Sequence, residues 1–284
     1  MDKPEALYHY TSLEGLTHIL SSRKIRFSRL DLLDDMTEGS STDPVDWRKY
    51  YFVSCWTSDP KESIPLWHMY TKEMCGVRVK LPTEMFKKHS FSKEDVPSFL
   101  ELADTSSAPE GAKIKFLSYL PYDELHGEDY FVMPTSFNED VWPFSVIYTD
   151  DESVLNRAYL EYDKESNNTK ISTHEIAKYK STVWSFQKEW RFRINCFNAA
   201  PRSLADKMPV QEYHALMINR LRSIGEGVSR EYFYLDISDD AFSKMEIVLG
   251  PKMDEAQKMI VSSLVDKYNP STKTEASNLS GKVR

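Results

Sequence analysis

The sequence predicts an α+β fold in which helices flank a mixed β-sheet, and two observations support this prediction. Hydrophobic residues make up 40% and aromatic residues 13% of the 284 residues, which favours a folded core over a disordered chain. Strand patterns outnumber strand–helix–strand alternations, and this balance favours a mixed α+β sheet over a parallel doubly wound sheet.

The first elements form a strand, a helix and a second strand. Tyrosines alternate around a histidine in Ala6–Tyr10, which is typical of a strand. Thr11 is followed by Glu14 three residues later, a pattern that predicts a helix capping box. Leucines at helical spacing predict a helix over Ser12–Ser22, and alternation around Ile25 predicts a half-buried strand. An acidic loop over residues 31–39 follows, and we assign it no role.

The rest of the chain alternates between predicted strands, helices and irregular stretches. Further strands are predicted at Tyr50–Trp56, Val77–Val79, Phe144–Tyr148, Glu189–Asn195, Tyr232–Ile237 and Met245–Leu249. Further helices are predicted at Ile64–Thr71, Asp151–Tyr162, Ser172–Val183, Met208–Ile224 and Asp254–Tyr268, the last with Ala256, Ile260 and Leu264 facing the core. We interpret residues 1–268 as one domain, residues 90–143 as an irregular insertion or lid, and residues 269–284 as a disordered tail.

Composition excludes several classes of protein. No apolar run is long enough to span a membrane and no signal peptide is apparent, so a cytoplasmic location is expected. The cysteines and histidines have neither C-x-x-C nor H-x-x-x-H spacing, so no metal site is expected. The net charge of −8 disfavours non-specific duplex binding, although a local basic groove stays compatible with it.

The familiar nucleotide and hydrolase motifs are missing as well. The sequence has no phosphate-binding P-loop, no G-x-G-x-x-G fingerprint, no G-x-S-x-G elbow and no H-E-x-x-H helix. The sequence therefore disfavours Rossmann enzymes, P-loop enzymes, α/β-hydrolases and zincins.

Two distant segments place polar side chains on predicted strands. Leu7–Ser12 carries His9, and Lys180–Arg193 carries Glu189. Strands form rigid walls, so a polar group fixed on one is a candidate for chemistry. If the two segments meet, an imidazole and a carboxylate face one cleft.

Five stretches taken in order resemble a known family. The first is Tyr8-His9-Tyr10-Thr11-Ser12 with the leucine-striped helix, and the second is Arg23–Ser28 with Asp34, Asp35 and Glu38. The third is Val53-Ser54-Cys55-Trp56 with Leu66, Trp67, Tyr70, Gly76 and Val77. The fourth is Lys180 with Trp184, Gln187, Glu189 and Arg191, and the fifth is Ile247 with Leu249 and Gly250. Together they look like a bacterial domain family of unknown function with the ADP-ribosyltransferase-like fold, and they cover most of the chain outside residues 90–143 and the tail.

The resemblance implies a split mixed sheet whose cleft binds NAD. Glu189 matches the decisive glutamate, and Gln187 matches the residue that contacts the acceptor. The residues implied to bind NAD are His9, Tyr10, Thr11, Ser54, Trp67, Tyr70 and Arg191. The implied activity is mono-ADP-ribosylation by a toxin or phage-defence effector, on a macromolecular acceptor (RNA, DNA or protein) and with a possible antitoxin or regulatory partner.

Physical chemistry supports the role given to Glu189. Breaking the nicotinamide–ribose bond develops positive charge on the sugar, and a fixed carboxylate stabilises that charge more than the neutral ground state. The common form of the family pattern has a glutamate where this chain has Gln187. A neutral amide both donates and accepts hydrogen bonds, which suits a base edge and favours a nucleic-acid acceptor.

Other readings of the same residues stay open. Glu189 could pair with Arg191 or Lys188 on a solvated sheet face, and His9 could be a half-buried histidine bonded to backbone. Trp67 and Tyr70 could belong to the core. The same cleft could instead hydrolyse NAD with water as the acceptor, or it could be catalytically silent and bind a nucleotide or a partner protein.

Overall fold

The computed structural model describes residues 3–92, 115–133, 137, 142–163, 168–205 and 207–284. The strands within these ranges are β1 (Ala6–Thr11), β2 (Lys24–Arg29), β3 (Tyr51–Thr57), β4 (Val77–Pro82), β5 (His89–Ser92), β6 (Lys115–Ser118), β7 (Tyr130–Val132), β8 (Phe144–Ser145), β9 (Ile147–Tyr148), β10 (Leu160–Asp163), β11 (Asn168–Ile171), β12 (Tyr179–Lys180), β13 (Glu189–Asn198), β14 (Tyr232–Asp236), β15 (Glu246–Leu249) and β16 (Lys273–Ala276).

Helices are fewer and mostly short. The α-helices in the same ranges are α1 (Leu13–Ser22), α2 (Ile64–Tyr70), α3 (Tyr122–Leu125), α4 (Glu152–Leu155), α5 (Val210–Arg222), α6 (Asp239–Ser243) and α7 (Glu255–Tyr268). Short 3-10 helices cover Leu30–Leu32, Trp47–Tyr50, Thr173–Glu175, Thr182–Gln187 and Arg202–Leu204. The molecule is therefore a mixed α+β protein with one large sheet, as the sequence predicts.

The large sheet splits at β3. The strand order is β14-β2-β3-β1-β4-β15-β16, and residues 189–195 of β13 pair with the whole of β3. The other edge of β3 is shared, because β2 pairs with it only at Val53 and Phe52 while β1 pairs with it only through Tyr8 and Thr57. Since β1 leaves β3 after one residue pair, a gap opens between them, whereas β13 lies along the opposite edge of β3.

Local sequence explains why these elements form where they do. Helix α1 begins after Ser12, whose hydroxyl accepts a hydrogen bond from the Gly15 backbone N–H, so the predicted capping residue Thr11 is one position too early. The helix buries Leu16, Ile19 and Leu20, the apolar stripe expected for a helix that covers one face of a sheet.

The last helix starts as predicted but turns a different face to the core. Asp254 and Gln257 form the capping box of α7. Val261 and Val265 are its buried residues, and Leu264 packs half-buried against the core as predicted. Ala256 and Ile260 are exposed, so the prediction is wrong for these two positions. Adjacent positions on a helix lie 100° apart, so both stripes fit the same sequence pattern until the packing partner, here α1, is known.

The two helices predicted over residues 151–162 and 172–183 are wrong. Only the first turn, α4, is helical, where the Asp151 side chain accepts from the Ser153 N–H. Beyond it, the backbone N–H groups of Tyr159 and Leu160 donate to the distant carboxylate of Asp43, and the chain turns into the β10–β11 hairpin. Tertiary hydrogen bonds have overridden a weak local helix preference.

The irregular region and the tail also differ from the prediction. Of residues 90–143, positions 93–114, 134–136 and 138–141 lie outside the described residues. The described part is core rather than lid, because β7 pairs with β13 and the Trp142 ring packs 4.8 Å from that of Phe192. Residues 269–284 are ordered, since β16 extends the sheet beside β15 and Asn278 donates its N–H to Glu62. No helix in the described part of the chain is long and apolar enough to cross a bilayer.

Candidate functional site

The gap between β1 and β3 opens into a cavity of about 120 Å³. Residues from both predicted segments line it, together with the loop after β2 and helix α2. The lining residues are Tyr8, His9, Tyr10, Leu33, Asp34, Cys55, Trp56, Thr57, Leu66, Tyr70, Lys180, Gln187 and Glu189. His9 and Glu189 therefore both line one cavity, which is the condition that the sequence hypothesis requires.

His9 bridges the point where the two strands separate. Its Nδ1 lies 3.0 Å from the carbonyl oxygen of Cys55, and its ring centroid lies 5.0 Å from that of Trp56. A carbonyl can only accept, so Nδ1 carries the proton and Nε2 is left as an acceptor. Burial lowers the pKa of His9 below its usual value, partly offset by this hydrogen bond, so the imidazole is neutral near pH 7.

Glu189 belongs to a buried cluster of two carboxylates and two cations. Arg191 Nε lies 2.7 Å from Glu189 Oε1, and Arg191 Nη2 lies 3.0 Å from Glu189 Oε2. Lys180 Nζ lies 3.4 Å from Glu189 Oε2 and 3.3 Å from Glu38 Oε2, and Arg191 Nη1 also donates to Glu38. We call Glu38, Lys180, Glu189 and Arg191 the buried quartet. Its formal charges sum to zero.

The quartet shifts the ionisation of its own members. Burial alone raises the pKa of Glu189, but the charges of Arg191 and Lys180 outweigh it and hold that pKa at about 2. Burial lowers the pKa of Lys180, but the charges of Glu189 and Glu38 raise it by more, so this pKa lies above its usual value. Glu189 is thus a fixed carboxylate at neutral pH. Glu189 does pair with Arg191. The alternative that this pair lies on a solvated face of the sheet is wrong, because the exposed fraction of Glu189 is only 4%.

A second hydrogen-bonded chain holds Gln187. Lys180 Nζ donates to Gln187 Oε1 at 3.0 Å, and Gln187 Nε2 donates to the Tyr70 hydroxyl at 2.8 Å. That hydroxyl donates in turn to Asp34 Oδ2 at 2.7 Å. A lysine ammonium has no acceptor, so the carboxamide oxygen must face Lys180, and the orientation of Gln187 is fixed. Burial and then Asp34 raise the pKa of Tyr70, which keeps its hydroxyl protonated.

The structure brings together five of the predicted site residues, and the other four lie outside the cavity lining. Those in the lining are His9, Tyr10, Tyr70, Gln187 and Glu189. Ser54 accepts from the Trp56 indole on the core side, and Thr11 ends β1. The indole of Trp67 is fully buried and donates to Glu62, and Arg191 is fully buried in the quartet.

Several polar lining residues were given no role from sequence, among them Asp34, Lys180 and Cys55. Asp34 lies in the acidic loop, and Lys180 begins the segment quoted for Glu189. Cys55 follows Ser54, and burial, together with the nearby charge of Glu189, raises the pKa of its thiol, so that the thiol is not ionised. Strand alternation carries the signal for Cys55, because Cys55 and Glu189 lie on the same face of paired strands. Among the described residues no group of three or more histidine, cysteine or acidic side chains is placed to hold a metal ion.

Comparison with known proteins gives one match. The family profile described as a protein of unknown function (DUF2971) matches residues 66–192, which is less than half of the chain. Those residues include Tyr70, Lys180, Gln187 and Glu189 but neither His9 nor Asp34. No curated protein and no solved structure matches the chain.

Proposed function

We propose that the cavity binds NAD, cleaves the bond between nicotinamide and ribose, and transfers ADP-ribose to a macromolecular acceptor. The observation that carries the proposal is that His9 and Glu189, which are 180 residues apart in the sequence, line one cavity where the sheet splits. The resemblance found in the sequence implies that such a cleft holds NAD, and this pair supplies an acceptor nitrogen and a fixed carboxylate.

In this proposal each side chain has a distinct task. His9 accepts a ligand N–H or O–H at Nε2, because Nδ1 is committed to Cys55. Glu189 is held by Arg191 and Lys180 and uses a remaining lone pair to accept a ribose hydroxyl. The C–N bond then breaks, nicotinamide leaves with the electron pair, and the carboxylate stabilises the cationic sugar. The nucleophile of the acceptor adds to the sugar and loses its proton.

The acceptor stays a macromolecule in this proposal, with a base edge favoured. Gln187 is bonded at both ends, so it retains one N–H and one oxygen lone pair. A donor and an acceptor side by side suit the edge of a nucleobase or a carboxamide better than they suit an arginine. An effector of this kind acts as a toxin or in phage defence by modifying RNA, DNA or protein.

A second candidate function is a silent module that binds a nucleotide, and two observations favour it. The charge of Glu189 is compensated by two cations, so this carboxylate offers less net negative potential than an unpaired one. In addition, the cavity volume of about 120 Å³ is below the roughly 300–1,000 Å³ of most ligand sites, so the cavity encloses only part of a dinucleotide.

Mass spectrometry of a lysate supplied with isotope-labelled NAD separates these functions. We expect wild-type protein to add ADP-ribose to RNA, DNA or protein and Glu189→Gln to lose this activity by about a hundredfold or more. Glu38→Gln is the matched control, because it removes one carboxylate from the same buried quartet but Glu38 does not line the cavity.

The outcomes are distinct. Free ADP-ribose without an adduct identifies a hydrolase and overturns the transfer step. NAD binding without turnover identifies the silent module. Equal losses in both variants, after their folding is verified, mean that Glu189 serves the quartet and not the chemistry.

A further inference from the structure

Two carboxylates line the cavity, and only one of them lacks a cation. Glu189 contacts Arg191 and Lys180, whereas Asp34 receives a hydrogen bond from Tyr70 and forms no ion pair with any described residue. Asp34 is also exposed, so a ligand can reach its free oxygen. Because the buried quartet is neutral as a whole, Asp34 leaves the cavity with one uncompensated negative charge.

The walls around this charge are aromatic. Tyr8, Tyr10, Trp56 and Tyr70 line the cavity beside His9, which is uncharged near neutral pH. The faces of aromatic rings attract cations, and cages of such rings bind ligands with positively charged groups. The rings and Asp34 therefore favour the same ligand, a flat group with a positive charge.

Arg78 lies near Tyr8 of β1, but it does not form an ion pair with Asp34 and so does not cancel this preference. The Arg78 guanidinium carbon lies 4.7 Å from the centroid of the Tyr8 ring, and its Nη1 donates to the carbonyl of Pro60. Arg78 is buried and lies outside the cavity lining. It sits behind a ring, whereas Asp34 lies at the surface of the cavity.

We propose that Asp34 recognises positive charge on the ligand, so that the cavity takes a cationic aromatic ring in preference to a neutral ring of the same shape. This inference deepens the proposed function and rests on it for the identity of the ring, which is the pyridinium of oxidised NAD. Asp34 thus stabilises the bound cationic ring, while Glu189 holds the ribose.

Two small probes test the inference without any turnover. The 1-methylnicotinamide cation and neutral nicotinamide share a ring and an amide but differ in charge. We expect wild-type protein to bind the cation about fivefold more tightly, the factor expected for an ion pair at a partly exposed site. Asp34→Asn keeps an oxygen that accepts from Tyr70 and should abolish the preference with little change for nicotinamide. Asp240→Asn makes the same charge change on an exposed residue outside the lining and should keep it.

The affinities are measured by titration followed by NMR, and each result is decisive. A preference that survives in Asp34→Asn, or a wild type that shows none or binds neither probe, overturns the inference. A wild type that prefers the cation through Asp34 but never consumes NAD removes the proposed function and leaves the recognition of charge intact. If wild type consumes NAD but Asp34→Asn keeps the preference, the inference about Asp34 fails and the proposed function stands.

Discussion

The two carboxylates of the cavity differ in almost every physical respect. Glu189 lies at the start of a long central strand, is 4% exposed and receives its hydrogen bonds from two cations. Asp34 lies in a loop, is exposed and receives one hydrogen bond from the neutral hydroxyl of Tyr70. The first has a fixed position and a compensated charge, and the second has a free charge at the cavity surface.

This difference suggests how the site divides its work. A buried carboxylate must be compensated, because an unpaired charge away from water is very costly, and compensation reduces the field that it projects. A carboxylate at the rim keeps its charge because water stabilises it. The same cavity can therefore use one acid to fix geometry and another to supply net charge.

The largest expected effect comes from breaking the quartet. Arg191→Met leaves Glu38 and Glu189 buried without their guanidinium, and we expect the free energy of unfolding to fall by about 3–5 kcal/mol. Urea unfolding measures this loss. Arg193→Met on the same strand is the control, because Arg193 donates to backbone carbonyls of His174 and Ile176 and should cost less. Equal losses for the two variants contradict the special status of the quartet.

A smaller effect is expected from cutting the chain that leads to Asp34. Tyr70→Phe removes the donor to Asp34 and the acceptor of Gln187, so the free energy of unfolding should fall by about 1–2 kcal/mol. Because Tyr70 and Asp34 share a hydrogen bond, Tyr70→Phe combined with Asp34→Asn should cost less than the sum of the single changes. Additive losses in this double-mutant cycle would show that the two side chains are not coupled.

The smallest effect concerns His9 and pH. Its folded pKa lies below 6.5, so as pH falls through 6.5 the unfolded chain binds a proton that folded His9 does not. The His9 contribution to stability is therefore present above pH 6.5 and is lost below it, by less than about 1 kcal/mol between pH 7 and 6. His9→Asn keeps a donor for Cys55 and should flatten this part of the stability profile relative to wild type. An unchanged slope contradicts a buried, neutral His9.

Strong local patterns made much of the fold predictable. The alternation of β1 and the leucine stripe of α1 need no distant partner, and both elements lie within a residue of the prediction. The hairpin at β10 and β11 could not be predicted in this way, because Asp43 takes the backbone N–H groups that a helix would have used. The ordered tail depends likewise on Glu62, which is distant in sequence.

The site follows the same rule. His9 and Glu189 both lie on strands that local alternation predicts, but that they line one cavity depends on how β1 and β13 pair with β3, which alternation does not give. Asp34 was missed because its position depends on a loop and on Tyr70 of helix α2, which no periodicity describes. The pairing of Glu189 with Arg191 was left open from the sequence, but the second cation, Lys180, was missed, because its contact depends on how the chain folds between β12 and β13.

The most direct test of the central claim is the release of nicotinamide from NAD by Glu38→Gln and by Glu189→Gln, each measured beside wild type in the presence of lysate. If Glu189 acts on the ligand, wild type releases nicotinamide, Glu38→Gln stays within about tenfold of it, and Glu189→Gln falls by about a hundredfold or more. No release by wild type, or equal rates for the two folded variants, contradicts the account.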